Sequence, residues 1–148
     1  MKIRQSGFTV VELLVVFAVL GVSLGVGALY LKPAAAPLAT SAALVEGYTR
    51  QARMRAMATT SAYRIRPVSA AVIAAESAGS CMDEIWAASS IPDLALEEQV
   101  ELTDTDWTVC FSGRGVSSNN VVITLSHPDF GTKQVEVLLG GTTRIIDG

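Results

Sequence analysis

Histidine and cysteine are scarce in this chain of 148 residues, which contains one histidine and two cysteines. A zinc site needs a cluster of Cys, His or carboxylate ligands, and the sequence shows no such cluster. His127 precedes a proline, a setting that predicts a turn residue rather than a catalytic base. Ser112 lacks the Gly-x-Ser-x-Gly setting of a hydrolase nucleophile. These absences predict a protein that is not an enzyme and has no metal or other cofactor.

Two other motifs are incomplete. Asp104 and Asp106 offer oxygen ligands of the kind that calcium prefers, but a calcium site takes about six to eight oxygens, so we predict a solvated turn. The Gly-Arg-Gly sequence at residues 113–115 lacks the lysine and the spacing of a phosphate-binding loop.

Basic residues are outnumbered by acidic ones, 11 against 14, and the net charge is −3. Two of the basic residues, Lys2 and Arg4, stand in an N-terminal head without acids, so the rest of the chain is more acidic than the whole. A segment with this excess of acidic residues is a poor general binder of polyanions. A local basic patch remains compatible with this composition.

Polar residues are almost missing from residues 8–31, where only Thr9, Glu12 and Ser23 interrupt the apolar sequence. About 20 apolar residues suffice to cross a bilayer as a helix. The basic head before them predicts a cytoplasmic N-terminus. Everything after residue 31 would then be exported.

Glu12 is the unexpected residue in this run, since a carboxylate inside a membrane is costly, though less so near a helix end. A secretory signal peptide has a basic head and an apolar core, and Pro33-Ala34-Ala35-Ala36 offers a small-residue cleavage site. A plain membrane anchor explains the apolar run, with Glu12 reaching back to the headgroups.

A third interpretation explains both Glu12 and the glycine before the run. The sequence GFTVVELL at residues 7–14 closely resembles the processing signature of type IV prepilins and type II secretion pseudopilins. The resemblance implies that a prepilin peptidase cuts after Gly7 and N-methylates Phe8. Glu12 would be the fifth residue of the mature chain and would pair with the terminal amine of a neighbouring subunit. A buried charge is tolerated where a partner charge meets it.

Cys81 and Cys110 both lie in the part predicted to be exported, where disulfides form and persist. A bridge would close a loop of about 30 residues, which corresponds to a stabilisation on the order of 3–4 kcal/mol in the chain-entropy model. The alternative is two buried free thiols.

A break at Pro33 and Pro37 is followed by helical spacing of apolar residues. The residues concerned are Leu38, Ala42, Val45, Tyr48, Ala52 and Ala56. We predict an amphipathic helix over residues 38–59, within a segment 32–61 that continues the N-terminal helix. The interleaved Arg50, Arg53 and Arg55 are predicted to be a solvated face, with nucleic-acid or partner binding as the alternative.

Residues 62–148 change to short extended runs separated by turn signals, which predicts an antiparallel sheet domain. Tyr63 to Arg66 is expected to end at Pro67. The predicted strands are 63–66, 71–75, 84–88, 99–102, 107–111, 121–126, 133–139 and 143–146.

The order of these elements resembles the H-type minor pseudopilins and FimT-like minor pilins. The resemblance rests on Phe111 with the 113–115 turn and on the final GGTTRI sequence. It implies an α+β pilin-like fold with a cleaved leader at 1–7. The long N-terminal helix would cross the membrane at 8–31, and its second half would pack on the C-terminal antiparallel sheet.

The implied role is that of a structural subunit in a type II secretion or type IV pilus filament. Its partners would be prepilin peptidase and other pilin subunits. The precursor would sit in the bacterial inner membrane with a periplasmic domain, and the mature chain would join an extracytoplasmic filament that takes part in assembly and protein secretion.

DNA uptake is the alternative function. FimT-like proteins bind DNA through a Gly-Arg-x-Arg pattern, and the matching residues here are Gly141-Thr142-Thr143-Arg144. Arg144 is therefore the candidate DNA-binding residue. The first arginine is replaced by threonine, and each lost cation weakens phosphate binding, so the sequence disfavours nucleic acid as a partner.

Overall fold

The computed structural model describes residues 10–30 and 36–147. Its backbone contacts divide the chain into two compact units, Met1–Ala34 and Ala35–Gly148. The first unit contains helix α1 at Val10–Tyr30. Among the described residues, no helix has both the length and the apolar character needed to cross a membrane. The predicted spanning segment 8–31 lies partly outside the described residues.

The second unit contains helix α2 at Ala36–Thr59, which is followed by nine strands within the described residues. The strands are β1 Ala62–Ser69, β2 Val72–Ala78, β3 Ala87–Ala88, β4 Leu94–Ala95, β5 Glu101–Leu102, β6 Val109–Phe111, β7 Val121–His127, β8 Gly131–Val137 and β9 Thr143–Asp147. The expected α+β arrangement, one helix packed on antiparallel strands, is confirmed for this unit.

The strands form two sheets rather than the single sheet that the sequence suggested. The first has the order β3-β2-β1-β6, with β4 pairing the other half of the β2 edge, and the second has the order β5-β7-β8-β9. The strand pairings within the described residues are antiparallel. The short β4 carries no alternating pattern of its own, which is why the sequence did not reveal it.

The core lies between α2 and both sheets. All six apolar residues that the helical spacing selected on α2 are buried. Opposite them are Ile65, Ile73, Val109 and Phe111 from the first sheet and Ile123, Leu125, Val135 and Val137 from the second. Alanines at three of the α2 positions bring the helix backbone close to the strands. The single helix therefore packs against both sheets.

Pro67 does not end β1, contrary to the sequence prediction. The strand continues to Ser69, with an irregular register between Pro67 and Ser69. β6 pairs β1 only from Tyr63 to Ile65, so the proline falls where that edge of β1 has no β6 partner. Proline is tolerated at strand edges and bulges because no ladder hydrogen bond is lost there.

The end of α2 is packed tightly against a turn. Thr60 adopts a left-handed conformation, with φ 53°, and the Ser61 N–H donates to the Ala56 carbonyl at 3.2 Å, the closing bond of a helix C-cap. A Cβ on Gly113 would lie 2.9 Å from the carbonyl carbon of Thr60. Glycine at this position therefore allows the turn to contact the helix end.

Candidate assembly site

Glu12 lies in the first turn of α1, where the positive end of the helix dipole favours a carboxylate. Its helix presents apolar side chains to solvent within its first three turns: Val11 is 68% exposed, Leu14 63% and Phe17 68%. A helix that is apolar all round is normally covered by protein or lipid. Gly7 and Phe8, the predicted processing residues, lie outside the described residues.

Cys81 and Cys110 are joined by a disulfide, with Cα atoms 5.9 Å apart and 29 residues apart in sequence. Cys110 is buried on β6, where it pairs with Arg64 of β1. The bond therefore fastens the connection after β2 to the opposite edge of the first sheet. Among the described residues no cysteine is free.

A charged cluster that was not predicted from the sequence lies on the outer face of the first sheet. Arg64 Nε lies 2.5 Å from a carboxylate oxygen of Glu76, and Arg66 Nη2 lies 3.0 Å from the other oxygen. The Arg64 guanidinium also stacks 4.3 Å from the ring centre of Trp86. The alternation of side chains along β1 could have predicted this cluster, since it places Arg64 and Arg66 on one face and Tyr63 and Ile65 in the core.

The hydrogen bond from Arg66 lowers the pKa of Glu76, and Arg64 adds to this effect against the opposing influence of burial. A carboxyl group whose pKa is lower in the folded state stabilises the fold above its unfolded pKa, and that contribution is lost as pH falls through the lowered pKa. We expect Glu76→Gln to lower the free energy of unfolding at neutral pH, by a margin that shrinks on acidification. Urea unfolding of both proteins across a pH series measures this margin, and a margin independent of pH would contradict the assignment.

Arg144 forms an ion pair across the second sheet. Its Nε lies 2.6 Å from Glu136 Oε2, and the two residues are register partners on β9 and β8. The side chain of Arg144 remains 60% exposed, but its charge is balanced by an adjacent carboxylate. This pairing reduces its attraction for a phosphate.

Arg53 departs from the solvated face predicted for the α2 arginines. Its Nε donates to the Gly115 carbonyl at 2.8 Å and its Nη2 to the Gly140 carbonyl at 3.3 Å. A Cβ on Gly141, where φ is +76°, would collide with the Gly115 carbonyl oxygen. Arg53 therefore ties α2 to two glycine turns that are distant in sequence, one before β7 and one before β9. Arg50 and Arg55 are exposed.

His127 is not a turn residue as the sequence predicted. It is the last residue of β7, it is buried, and its ring lies 4.6 Å from that of Phe130. Its Nδ1 accepts the Asp129 N–H at 3.1 Å. The turn begins one residue later, because the following proline and aspartate leave the strand ladder.

Asp104 and Asp106 are exposed and lie in the irregular segment between β5 and β6. The Asp106 N–H donates to Asp104 Oδ1 at 2.8 Å, and the Trp107 indole donates to the Asp104 carbonyl at 3.0 Å. In the part of the chain that the structure describes, no three His, Cys, Asp or Glu side chains are grouped so as to hold a metal ion.

A groove lies beside α2, and one of the residues that line it, Thr143, has a buried hydroxyl. The volume of the groove is about 470 Å³, and its lining consists of Arg50, Arg53, Met54, Met57, Gly141, Thr142 and Thr143. Thr143 is buried, and within the described residues its Oγ1 has no hydrogen-bond partner.

On the other side of α2, burial raises the pKa of Tyr48 to about 12, aided by the charge of Asp93.

The chain matches the family model of the prokaryotic N-terminal methylation motif over residues 2–28. This range includes Gly7, Phe8 and Glu12. No curated protein sequence matches the chain.

Solved structures share the fold at low sequence identity. The type IV minor pilin FimU of Pseudomonas aeruginosa superposes with a TM-score of 0.59 at 10% identity, over 74% of this chain and 87% of FimU. The minor pseudopilin EpsH from the type 2 secretion system of Vibrio cholerae superposes with a TM-score of 0.56 at 14% identity, over 74% of this chain and 96% of EpsH.

The chain therefore combines an N-terminal methylation motif with a pilin-like fold. The predicted pilin-like α+β fold is confirmed by both superpositions. More particularly, the fold is one found in a minor pilin and in a minor pseudopilin.

Proposed function

We propose that this protein is a minor pilin or pseudopilin, a structural subunit of a type IV pilus or type II secretion filament. The observation that carries the proposal is the N-terminal methylation motif at residues 2–28, joined in one chain to a pilin-like domain. The role is structural: the chain supports filament assembly and, in a secretion system, protein transport.

In this proposal residues 8–31 hold the precursor in the inner membrane, with the N-terminus in the cytoplasm and the folded domain in the periplasm. The exposed apolar side chains of α1 then become buried against neighbouring subunits. Because lipid tails are as apolar as these side chains, the transfer from lipid to the filament is favoured by close packing between helices rather than by the hydrophobic effect. Glu12 supplies the specific contact with a neighbour's terminal amine.

Co-expression with a prepilin peptidase tests the proposal. We expect the intact mass of the purified protein to fall by that of residues 1–7 and to rise by one methyl group, with the new N-terminus at Phe8. A catalytically inactive peptidase is the control and should leave the precursor intact. An unchanged mass with the active enzyme would support a plain anchor, and cleavage after Ala36 would support a secretory signal peptide.

DNA binding is not favoured as a second function. Its candidate residue, Arg144, is paired with Glu136 at 2.6 Å, and the matching motif holds Thr142 where FimT-like proteins have an arginine. The acidic balance of the chain also opposes a polyanion.

A further inference from the structure

A cleft between α2 and the segment that leads into β4 is lined by a buried tyrosine whose hydroxyl has no hydrogen-bond partner. The cleft has a volume of about 330 Å³, and its lining consists of Ala43, Leu44, Gly47, Tyr48, Gln51, Pro92, Asp93 and Leu94. Tyr48 is 7% exposed, and within the described residues its hydroxyl oxygen neither donates nor accepts a hydrogen bond. Buried polar groups are normally hydrogen-bonded, so this hydroxyl points to a missing partner.

The hydroxyl of Tyr48 stays protonated at every ordinary pH, because burial raises its pKa to about 12 and the charge of Asp93 adds to this effect. It therefore keeps its O–H donor and the acceptor lone pairs of its oxygen. The Asp93 carboxylate acts on the hydroxyl through its charge, yet in the described structure no hydrogen bond joins the two groups. A donor placed between them would bond to both oxygens.

Asp93 belongs to a segment whose acidic residues lack basic partners. Residues 77–113 contain no lysine or arginine. Elsewhere in the second unit, the carboxylates of Glu46, Glu76 and Glu136 each pair with an arginine. Within the described residues, no ion pair includes an acidic residue of the segment 77–113. The unpaired negative charge of this segment attracts a cation from another molecule.

The rest of the cleft suits the stem of a long basic side chain. Leu44 on α2 is 40% exposed, and Pro92 and Leu94 contribute to the lining from the β4 side. Long basic side chains lay their methylene groups along apolar surface and keep the charged head at polar groups. Ligand pockets commonly measure about 300–1,000 Å³, so a cleft of 330 Å³ takes one side chain rather than a larger molecule.

We propose that this cleft binds the side chain of an arginine presented by a partner protein. The guanidinium would donate to the Asp93 carboxylate and to the Tyr48 oxygen, and its methylene groups would contact Leu44 and Pro92. Arginine fits better than lysine because its planar head carries five N–H donors in a fixed fork and is more weakly hydrated. One head group can therefore bond to both oxygens.

Entry of the guanidinium requires a small movement at the rim, because the Tyr48 hydroxyl is closed to solvent in the unbound protein. Leu44 is an exposed side chain at this rim, and exposed side chains change rotamer within picoseconds to nanoseconds. Arg55 lies one helical turn after Gln51 on the same side of α2, but it forms no ion pair within the described residues. The cleft therefore remains open to a cation of another molecule.

In the proposed filament the arginine would belong to a neighbouring subunit of another kind. This identification of the carrier rests on the proposed function, whereas the binding of an arginine to the cleft does not. A single exposed ion pair gives weak affinity. Weak contacts of this kind become effective between subunits that are already held together at high effective concentration.

Titration with a blocked arginine, N-acetyl-arginine N-methylamide, tests the cleft. The full-length ¹⁵N-labelled protein is kept in zwitterionic detergent micelles, and its amide signals are followed by NMR. We expect saturable shifts at Gly47, Gln51 and Leu94. The matching citrulline compound, which has nearly the same shape without the charge, is the control and should give no saturable shift. An equal response to both compounds, or no response to arginine, would overturn the proposal.

Two variants separate the cleft from the acidic segment as a whole. Asp93→Asn should weaken the binding of the blocked arginine by about fivefold, the scale of one exposed ion pair. Glu98→Gln removes an exposed carboxylate of the same segment outside the cleft and should leave the binding unchanged. An equal loss in both variants would show general attraction to the segment and would refute the assignment to the cleft.

Tyr48→Phe separates a binding role of the hydroxyl from a structural one. Because this hydroxyl has no partner in the described structure, its removal should not lower the urea concentration at which the protein unfolds. It should weaken the binding of the blocked arginine by about threefold, the scale of one hydrogen bond. Unchanged binding would refute the contact with Tyr48. None of these measurements uses peptidase cleavage or filament assembly, so a failure of the cleft is distinguishable from a failure of the proposed function.

Discussion

Glu12→Ala is expected to leave cleavage after Gly7 intact and to remove the protein from assembled filaments. In the mature filament the carboxylate would meet the methylated amine of a neighbouring subunit in an apolar surrounding. Removal of one partner from a buried pair leaves the other charge unpaired, at a cost of about 3–5 kcal/mol. Such a cost lowers the occupancy of an assembled position by more than a hundredfold.

The measurement is the fraction of protein in sheared or sedimented filaments, together with its intact mass. Val15→Ala on the same helix is the matched control, since Val15 is 57% exposed and its truncation removes apolar surface without a charge. We expect the control to assemble nearly normally. Full incorporation of Glu12→Ala would refute the pairing, whereas a loss of cleavage would assign Glu12 to peptidase recognition.

Removal of the disulfide has the second large expected effect. The bond joins residues 29 apart, and a loop of this length corresponds to a stabilisation of about 3–4 kcal/mol in the chain-entropy model. We expect the double variant Cys81→Ala, Cys110→Ala to lose that amount of unfolding free energy. Urea unfolding followed by tryptophan fluorescence measures it, because Trp86 lies in the loop that the bond fastens.

Reduction provides the control for this experiment. A reductant should destabilise the wild-type protein by a similar amount and should have no effect on the double variant. If wild type and double variant unfold at the same urea concentration, the bond is not a major source of stability.

Sequence patterns predicted the structure correctly where the residues that share one face recur at regular intervals along the chain. The spacing of apolar residues from Leu38 to Ala56 identified the α2 face that is buried. The alternation of side chains in β1 places its two arginines on the outer face. Only the structure showed that Glu76 and Trp86 lie beside them. The methylation motif was recognisable because its residue types occur in a fixed order within a short segment.

Predictions failed where the contact is distant in sequence. Arg53 looked like one of three solvated arginines, yet it donates to carbonyls 62 and 87 residues away. The sequence of each turn gives no indication that both turns contact Arg53 of α2. Pro67 was expected to end β1, but the pairing of β1 with β6 stops at Ile65, two residues earlier, so the missing N–H donor of the proline is not needed on that edge. These outcomes depend on which elements become neighbours.

The disulfide also has a mechanical consequence. In the proposed filament, a force that unravels the domain would act along the polypeptide chain. An extended chain spans about 3.3–3.6 Å per residue. The disulfide keeps the Cα atoms of Cys81 and Cys110 5.9 Å apart, so the residues between them cannot be extended by the force. Even a fully unravelled domain would therefore lengthen by roughly 90 Å less than its sequence allows, and the residues between Cys81 and Cys110 would carry none of the load.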